Sequence, residues 1–267
     1  MSDNAPRSLD VPIHGAAAFE GMRRAGQLAA ATLDMIGEHV KPGVTTEELD
    51  RICHEFILDH GAVPAPLGYR GYPKATCISL NEVVCHGIPS SRKLDKRDIL
   101  NIDVTVIFEG WFGDSSRMYF ADEPVTLKQS LCEVTFEALW RGIRAVKPGA
   151  TLGDLGHAIQ SYVEDQRCSV VRDYCGHGIG RVFHDTPSVL HYGKPGTGLT
   201  FKPGMLFTIE PMVNLGTYEV KLNKKDGWTV TTKDGKASAQ FEHTVGVTDD
   251  GFEVFTLSPK GLHHPPW

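Results

Sequence analysis

Apolar residues recur at helical spacing in four stretches of the chain. The first, residues 16–38, is rich in alanine between Ala25 and Met35. The second begins at Thr46 and sets Leu49, Ile52, Phe56 and Ile57 on one stripe. The third, residues 127–145, carries Leu131, Val134, Leu139 and Ile143, and the fourth begins at Leu152 with Leu155, Ile159, Tyr162 and Val163. Two shorter runs have a different rhythm. Residues 98–106 and 205–213 are rich in Val, Ile and Thr, as strands are, and each has a carboxylate at its centre.

These elements come in two matching sets. Residues 40–45 read Val-Lys-Pro-Gly-Val-Thr and residues 146–151 read Val-Lys-Pro-Gly-Ala-Thr, an offset of 106. Each copy follows one helical stretch and precedes another, and Lys-Pro-Gly stops the first helix and turns the chain. The β-rich runs follow at an offset near 107. Two helix–helix–strand halves, over about residues 16–122 and 126–255, predict one α/β (α+β) domain over residues 15–267 with pseudo-two-fold symmetry. Helices should cover one face of a curved, mostly antiparallel sheet, leaving the other face for a site. Residues 1–14 read as a flexible N-terminal arm, polar and acidic at Asp3 and Asp10.

Four acids stand inside apolar strand-like runs: Asp103, Asp114, Glu210 and Glu242. A carboxylate there is costly unless it is paired or binds metal. Glu109-Gly110 reads as a two-residue hairpin turn. It sets Phe108 opposite Trp111, Thr105 opposite Asp114 and Asp103 opposite Ser116. Side chains alternate along a strand, so Asp103 and Asp114 share a face as diagonal neighbours, roughly 7–8 Å apart at the backbone. His177, in Cys-Gly-His-Gly-Ile-Gly, is the candidate imidazole, with glycines that allow close approach of backbone and metal. Four carboxylates and one imidazole would balance two divalent cations. Ligands of this type suit manganese, iron, cobalt or zinc.

Composition removes several other functions. The net charge is −6 and no basic block exists, which gives nucleic-acid binding no support. No apolar run reaches the roughly 20 residues of a membrane span, and no signal or transit pattern is visible, so a cytoplasmic location is expected. The six cysteines form no Cys-x-x-Cys pair and read as free thiols. There is no Gly-x-Ser-x-Gly nucleophile elbow, and the histidines at 54 and 60 are too far apart for a His-Glu-x-x-His zinc helix.

From about residue 15 to 258 the chain closely resembles the methionine aminopeptidases of the pita-bread metallopeptidase family, in their short bacterial-like form (type I). The segments that carry the resemblance are 68–79 (GYRGYPKATCIS), 81–89 (NEVVCHGIP), 113–117 (GDSSR), 175–184 (CGHGIGRVFH), 208–212 (TIEPM) and 240–244 (QFEHT). The resemblance implies the pita-bread fold and metal ligands at Asp103, Asp114, His177, Glu210 and Glu242. Asp114 and Glu242 would bridge two cations, with Asp103 on one and His177 and Glu210 on the other. It implies that His86 and His184 act on substrate, that Glu210 shuttles the proton, and that Tyr69, Tyr72, Cys77, Phe183 and Trp228 line a methionine pocket. The implied reaction is attack of metal-activated water on the first peptide bond, removing the initiator methionine of nascent proteins when the second residue is small. Pro66 departs from family members that carry a cysteine there, which bears on the pocket rim. Ribosome contact would suit such an enzyme, and no feature of the sequence encodes it. A monomer is expected, because the repeat already completes the two-fold. The alternatives are a proline-directed peptidase of the same fold and a catalytically inactive binding homologue.

Overall fold

The four helical stripes form α1 (Ala16–Ile36), α2 (Thr46–Asp59), α3 (Thr126–Arg144) and α4 (Leu152–Asp165). They are seen in a computed structural model that describes residues 10–123, 125–262 and 264–265. Helices α2 and α4 are each 14 residues long and start the same way. The Thr45 side chain accepts from the Glu48 amide, and the Thr151 side chain accepts from the Asp154 amide. Each threonine thereby satisfies an amide that the helix itself leaves without a partner.

The hairpin between the helix pairs has the expected register. Strands Ile99–Phe108 and Trp111–Phe120 pair with Phe108 opposite Trp111, Thr105 opposite Asp114 and Asp103 opposite Ser116. Glu109 and Gly110 both have positive φ, at 50° and 78°, the conformation of a tight turn whose twist matches the strands. Cys77–Leu80 and Val63–Pro64 pair along the other edge of Ile99–Phe108, with Cys77 opposite Asp103.

The second half departs from a simple copy. The run at 205–213 does not form one long strand. It splits into Leu206–Ile209 and Met212–Asn214, because Pro211 has no N–H for a ladder. Its partner splits at the same level, into Ser238–Gln240 and His243–Val247. The expected curved sheet is divided into four smaller sheets, and every strand pair among the described residues is antiparallel.

The two halves meet where the strand that carries Asp114 runs beside the break that holds Glu242. The Glu242 amide donates to the Ser116 carbonyl at 3.0 Å. The Ser115 hydroxyl donates to the Glu242 carbonyl, and the Thr244 hydroxyl to the Asp114 carbonyl, both at 2.7 Å. Each half has its own apolar core. Helices α1 and α2 pack on the first hairpin through Leu33, Ile36, Leu49 and Val104, while α3 and α4 pack on the second-half strands through Leu139, Ile159, Phe207 and Val245.

Residues 1–9 of the expected arm lie outside the described residues. Of its remainder, the His14 amide donates to the Gly204 carbonyl at 2.8 Å. All six cysteines are free. No described helix is long and apolar enough to cross a membrane.

Candidate active site

A cavity of about 300 Å³ opens where the halves meet. All twelve residues singled out from the sequence line it: the four acids, His177, His86, His184, Tyr69, Tyr72, Cys77, Phe183 and Trp228. Pro66 lies on its wall as well.

The acids come from both halves. Asp103 and Asp114 stand on the first hairpin, and Glu210 and Glu242 stand at the two strand breaks of the second half. Ligand atoms of Asp114, His177 and Glu242 lie within 4.8 Å of one another. Nε2 of His177 lies 3.6 Å from Asp114 Oδ2 and 3.7 Å from Glu210 Oε1. These separations are too long for hydrogen bonds and suit atoms that face a common ion. The other ring nitrogen, Nδ1, is 3.1 Å from the Gly178 carbonyl, which only a protonated Nδ1 satisfies. The tautomer this fixes leaves the Nε2 lone pair directed at the acids.

Burial sets the electrostatics. Asp103 is pushed well above the carboxylate range by burial and then by Asp114. Burial raises Asp114 to about 7, against the pull of its hydrogen bond from Thr105. Glu210 and Glu242 are raised by burial and by the neighbouring acids. Burial lowers His177 to about 4, so its imidazole is neutral near neutral pH. Asp103 Oδ1 is buried and accepts no hydrogen bond. A buried oxygen without a donor, beside three more acids and a neutral imidazole, fits a divalent cation as the missing partner.

The walls are aromatic. Tyr72 is buried, its hydroxyl within 3.1 Å and 2.9 Å of the Thr76 and Gly87 carbonyls, and its ring meets Trp228 edge-on at 5.1 Å. Tyr69 lies 4.9 Å from Phe183, and its hydroxyl is 2.9 Å from His184 Nδ1. Burial, with the charges of His177 and Arg70, holds the rim residue His184 below its ordinary pKa. His86 packs edge-on to Tyr174 and Trp228, and burial lowers its pKa too. Its φ of 55° is left-handed, a conformation that costs energy in a residue with a side chain.

Sequence reasoning missed the groups that hold the acids in place. The Thr105 hydroxyl donates to Asp114 at 2.6 Å, the Thr208 hydroxyl to Glu210 at 2.8 Å, and the Gln240 amide to Glu210 at 3.1 Å. Thr208 and Gln240 each stand two residues from an acid and Thr105 stands opposite one, so strand periodicity was the available signal. His191, whose Nε2 accepts the Glu210 amide at 3.0 Å, carried no such signal.

Comparison with known proteins gives the family. The model of metallopeptidase family M24 matches residues 20–249. The chain is 60% identical to a methionine aminopeptidase of Rickettsia prowazekii over 97% of this chain and 100% of the relative. It is 57% identical to that of Escherichia coli strain K12 over 90% of this chain and 91% of the relative. A crystal structure of methionine aminopeptidase from Rickettsia prowazekii superposes with a TM-score of 0.92 and 60% identity, covering 92% of this chain and 100% of that one. A prolidase from Pyrococcus furiosus shares the fold at 20% identity and a TM-score of 0.72, covering 91% of this chain and 65% of that one. The chain thus belongs to metallopeptidase family M24 and, within it, to the methionine aminopeptidases, metal-dependent enzymes that release an N-terminal methionine.

Proposed function

We propose that the cavity binds two divalent cations, drawn from manganese, iron, cobalt or zinc, and that the enzyme removes the initiator methionine of nascent proteins whose second residue is small. The observation that carries the ligand set is the convergence of buried oxygens of four acids with the free Nε2 of His177, including one Asp103 oxygen that has no donor. Asp103, Asp114, His177, Glu210 and Glu242 would hold the pair, with Asp114 and Glu242 at the seam between the halves. Such cations supply Lewis acidity and a water whose pKa falls toward neutrality.

The remaining steps belong to the protein's own groups. Glu210 takes and returns the proton, the role that the resemblance to the family implies for it. Neutral His184 donates from Nε2 to the substrate near the scissile carbonyl, with its Nδ1 accepting from the Tyr69 hydroxyl. His86 contacts the scissile nitrogen or the tetrahedral intermediate. The methionine side chain enters between Tyr69, Tyr72, Phe183 and Trp228, against Cys77, where its soft thioether packs well on aromatic edges. The enzyme acts as a monomer in the cytoplasm, where new chains begin.

The test is cleavage of Met-Ala-Ser and Met-Lys-Ser by wild type and Asp103→Ala, with and without added Mn²⁺ or Co²⁺. Metal-dependent methionine release from Met-Ala-Ser only, abolished in the variant, is expected. No release with any metal would defeat the proposal and direct the next assay to Xaa-Pro peptides.

A further inference from the structure

The two halves solve one backbone problem differently. In the first half, Asp103 sits in mid-strand, opposite Cys77 on one side and Ser116 on the other. Its backbone is held by the ladder. The matching acid of the second half, Glu210, precedes Pro211, and the strand Leu206–Ile209 ends one residue before it. The Glu210 amide therefore has no strand partner, and a buried N–H left alone is costly. His191 fills that gap. It follows the strand Asp185–Val189, is 1% exposed, and its Nε2 accepts the Glu210 amide at 3.0 Å.

Two details separate this ring from a histidine that merely fills space. An Nε2 that accepts carries no proton, so the neutral ring must hold its proton on Nδ1. That Nδ1 is buried and has no hydrogen-bond partner. The ring's single polar contact is thus spent on the backbone of one acid. The side chain of that acid is held separately, by Thr208 on Oε1 and Gln240 on Oε2.

We infer that His191 is a positioning residue for metal binding: as a neutral acceptor it stands in for the strand that Pro211 interrupts and fixes the backbone from which Glu210 reaches the cation. The inference rests on the reading of Glu210 as a ligand. The orphaned Nδ1 follows from the same arrangement, because the ring is placed for its acceptor and not for its donor.

The experiments use the full chain. Long-range ¹H–¹⁵N correlation of the wild-type imidazoles is expected to find His191 neutral and protonated at Nδ1. A ring protonated at Nε2 overturns the inference, and this measurement needs no variant to fold. Calorimetric titration with Mn²⁺ then compares wild type, Glu210→Gln, His191→Leu and His191→Gln. Glu210→Gln and His191→Leu are each expected to weaken Mn²⁺ binding, the latter by about 10–100-fold. His191→Gln, whose amide oxygen accepts the same N–H, should keep most of the wild-type affinity. Equal loss in both His191 variants, or loss in neither, overturns the inference. If Glu210→Gln itself leaves Mn²⁺ binding unchanged, the ligand reading falls and the inference with it. If Glu210→Gln weakens binding and His191→Leu does not, the inference alone falls.

Discussion

His86 owes its place to its neighbour. It follows the strand Val83–Cys85 with φ at 55° and is followed by Gly87, whose amide donates to the Ser79 hydroxyl at 3.1 Å and whose carbonyl accepts from the Ile78 amide at 2.9 Å. A Cβ on Gly87 would stand 2.2 Å from the Ile78 carbonyl oxygen, which is rigid backbone. Gly87→Ala must therefore push this segment, and His86 with it, away from Cys77–Leu80. A displacement near 1 Å at a reacting group costs about a hundredfold in rate. The expected result is a fall of about that size in kcat/KM on Met-Ala-Ser, with Mn²⁺ bound at the wild-type stoichiometry because no ligand has moved. Loss of metal together with activity, measured by elemental analysis, would show that His86 was not the residue affected. The same locality explains why His86 and His184 were found, through the family resemblance, as residues of the cavity: each lies in an unbroken motif. His191 was not, because its role depends on an amide 19 residues away.

At the scale of elements, the first half was legible down to register and the second was not. A two-residue turn between two β-rich runs leaves one pairing that buries the apolar face, so Asp103 and Asp114 could be set on one face by counting. In the second half, Pro211 and the break at residues 241–242 divide the strands, and what pairs with what is decided by contacts distant in sequence. The spacing also failed to signal how closely α1 lies on the hairpin. Gly113 is where they touch: a Cβ there would come within 2.3 Å of the Ala25 carbonyl. Both atoms belong to regular elements, so neither side yields cheaply. Gly113→Ala is expected to destabilise the fold by about 1–3 kcal/mol. Urea unfolding should show a lower midpoint at an unchanged slope. An unchanged midpoint would mean that α1 is free to move off the strand.

The cavity joins the whole molecule, because Asp103 and Asp114 come from one half and His177, Glu210 and Glu242 from the other. Cations held there by the proposed ligands would tie the halves across the seam, which links metal, protons and stability. The four acids have raised pKa values in the folded protein, Asp114 at about 7, because burial and mutual repulsion disfavour their charged forms. A group raised on folding contributes stability that is complete below its unfolded pKa, about 4 for a carboxylate. That stability is lost as pH rises through the folded value. The chelated protein should therefore become less stable from about pH 4 up through about pH 7, as Asp114 is forced to ionise beside the other acids. Added Mn²⁺ acts in the opposite sense. It needs the ionised acids and competes with their protons, so its binding strengthens over the same range. His177, neutral above about 4, adds no competing proton there. Free metal at about a hundred times its Kd stabilises the fold by about 2.7 kcal/mol. The gap in melting temperature between Mn²⁺-loaded and chelated protein should thus be wider at about pH 8 than at about pH 6, and Glu242→Gln, which removes a proposed ligand charge at the seam, should narrow it at both. A gap that is constant with pH would mean that the acids are already ionised without metal, and that the cluster is not the buried, proton-holding group its geometry describes.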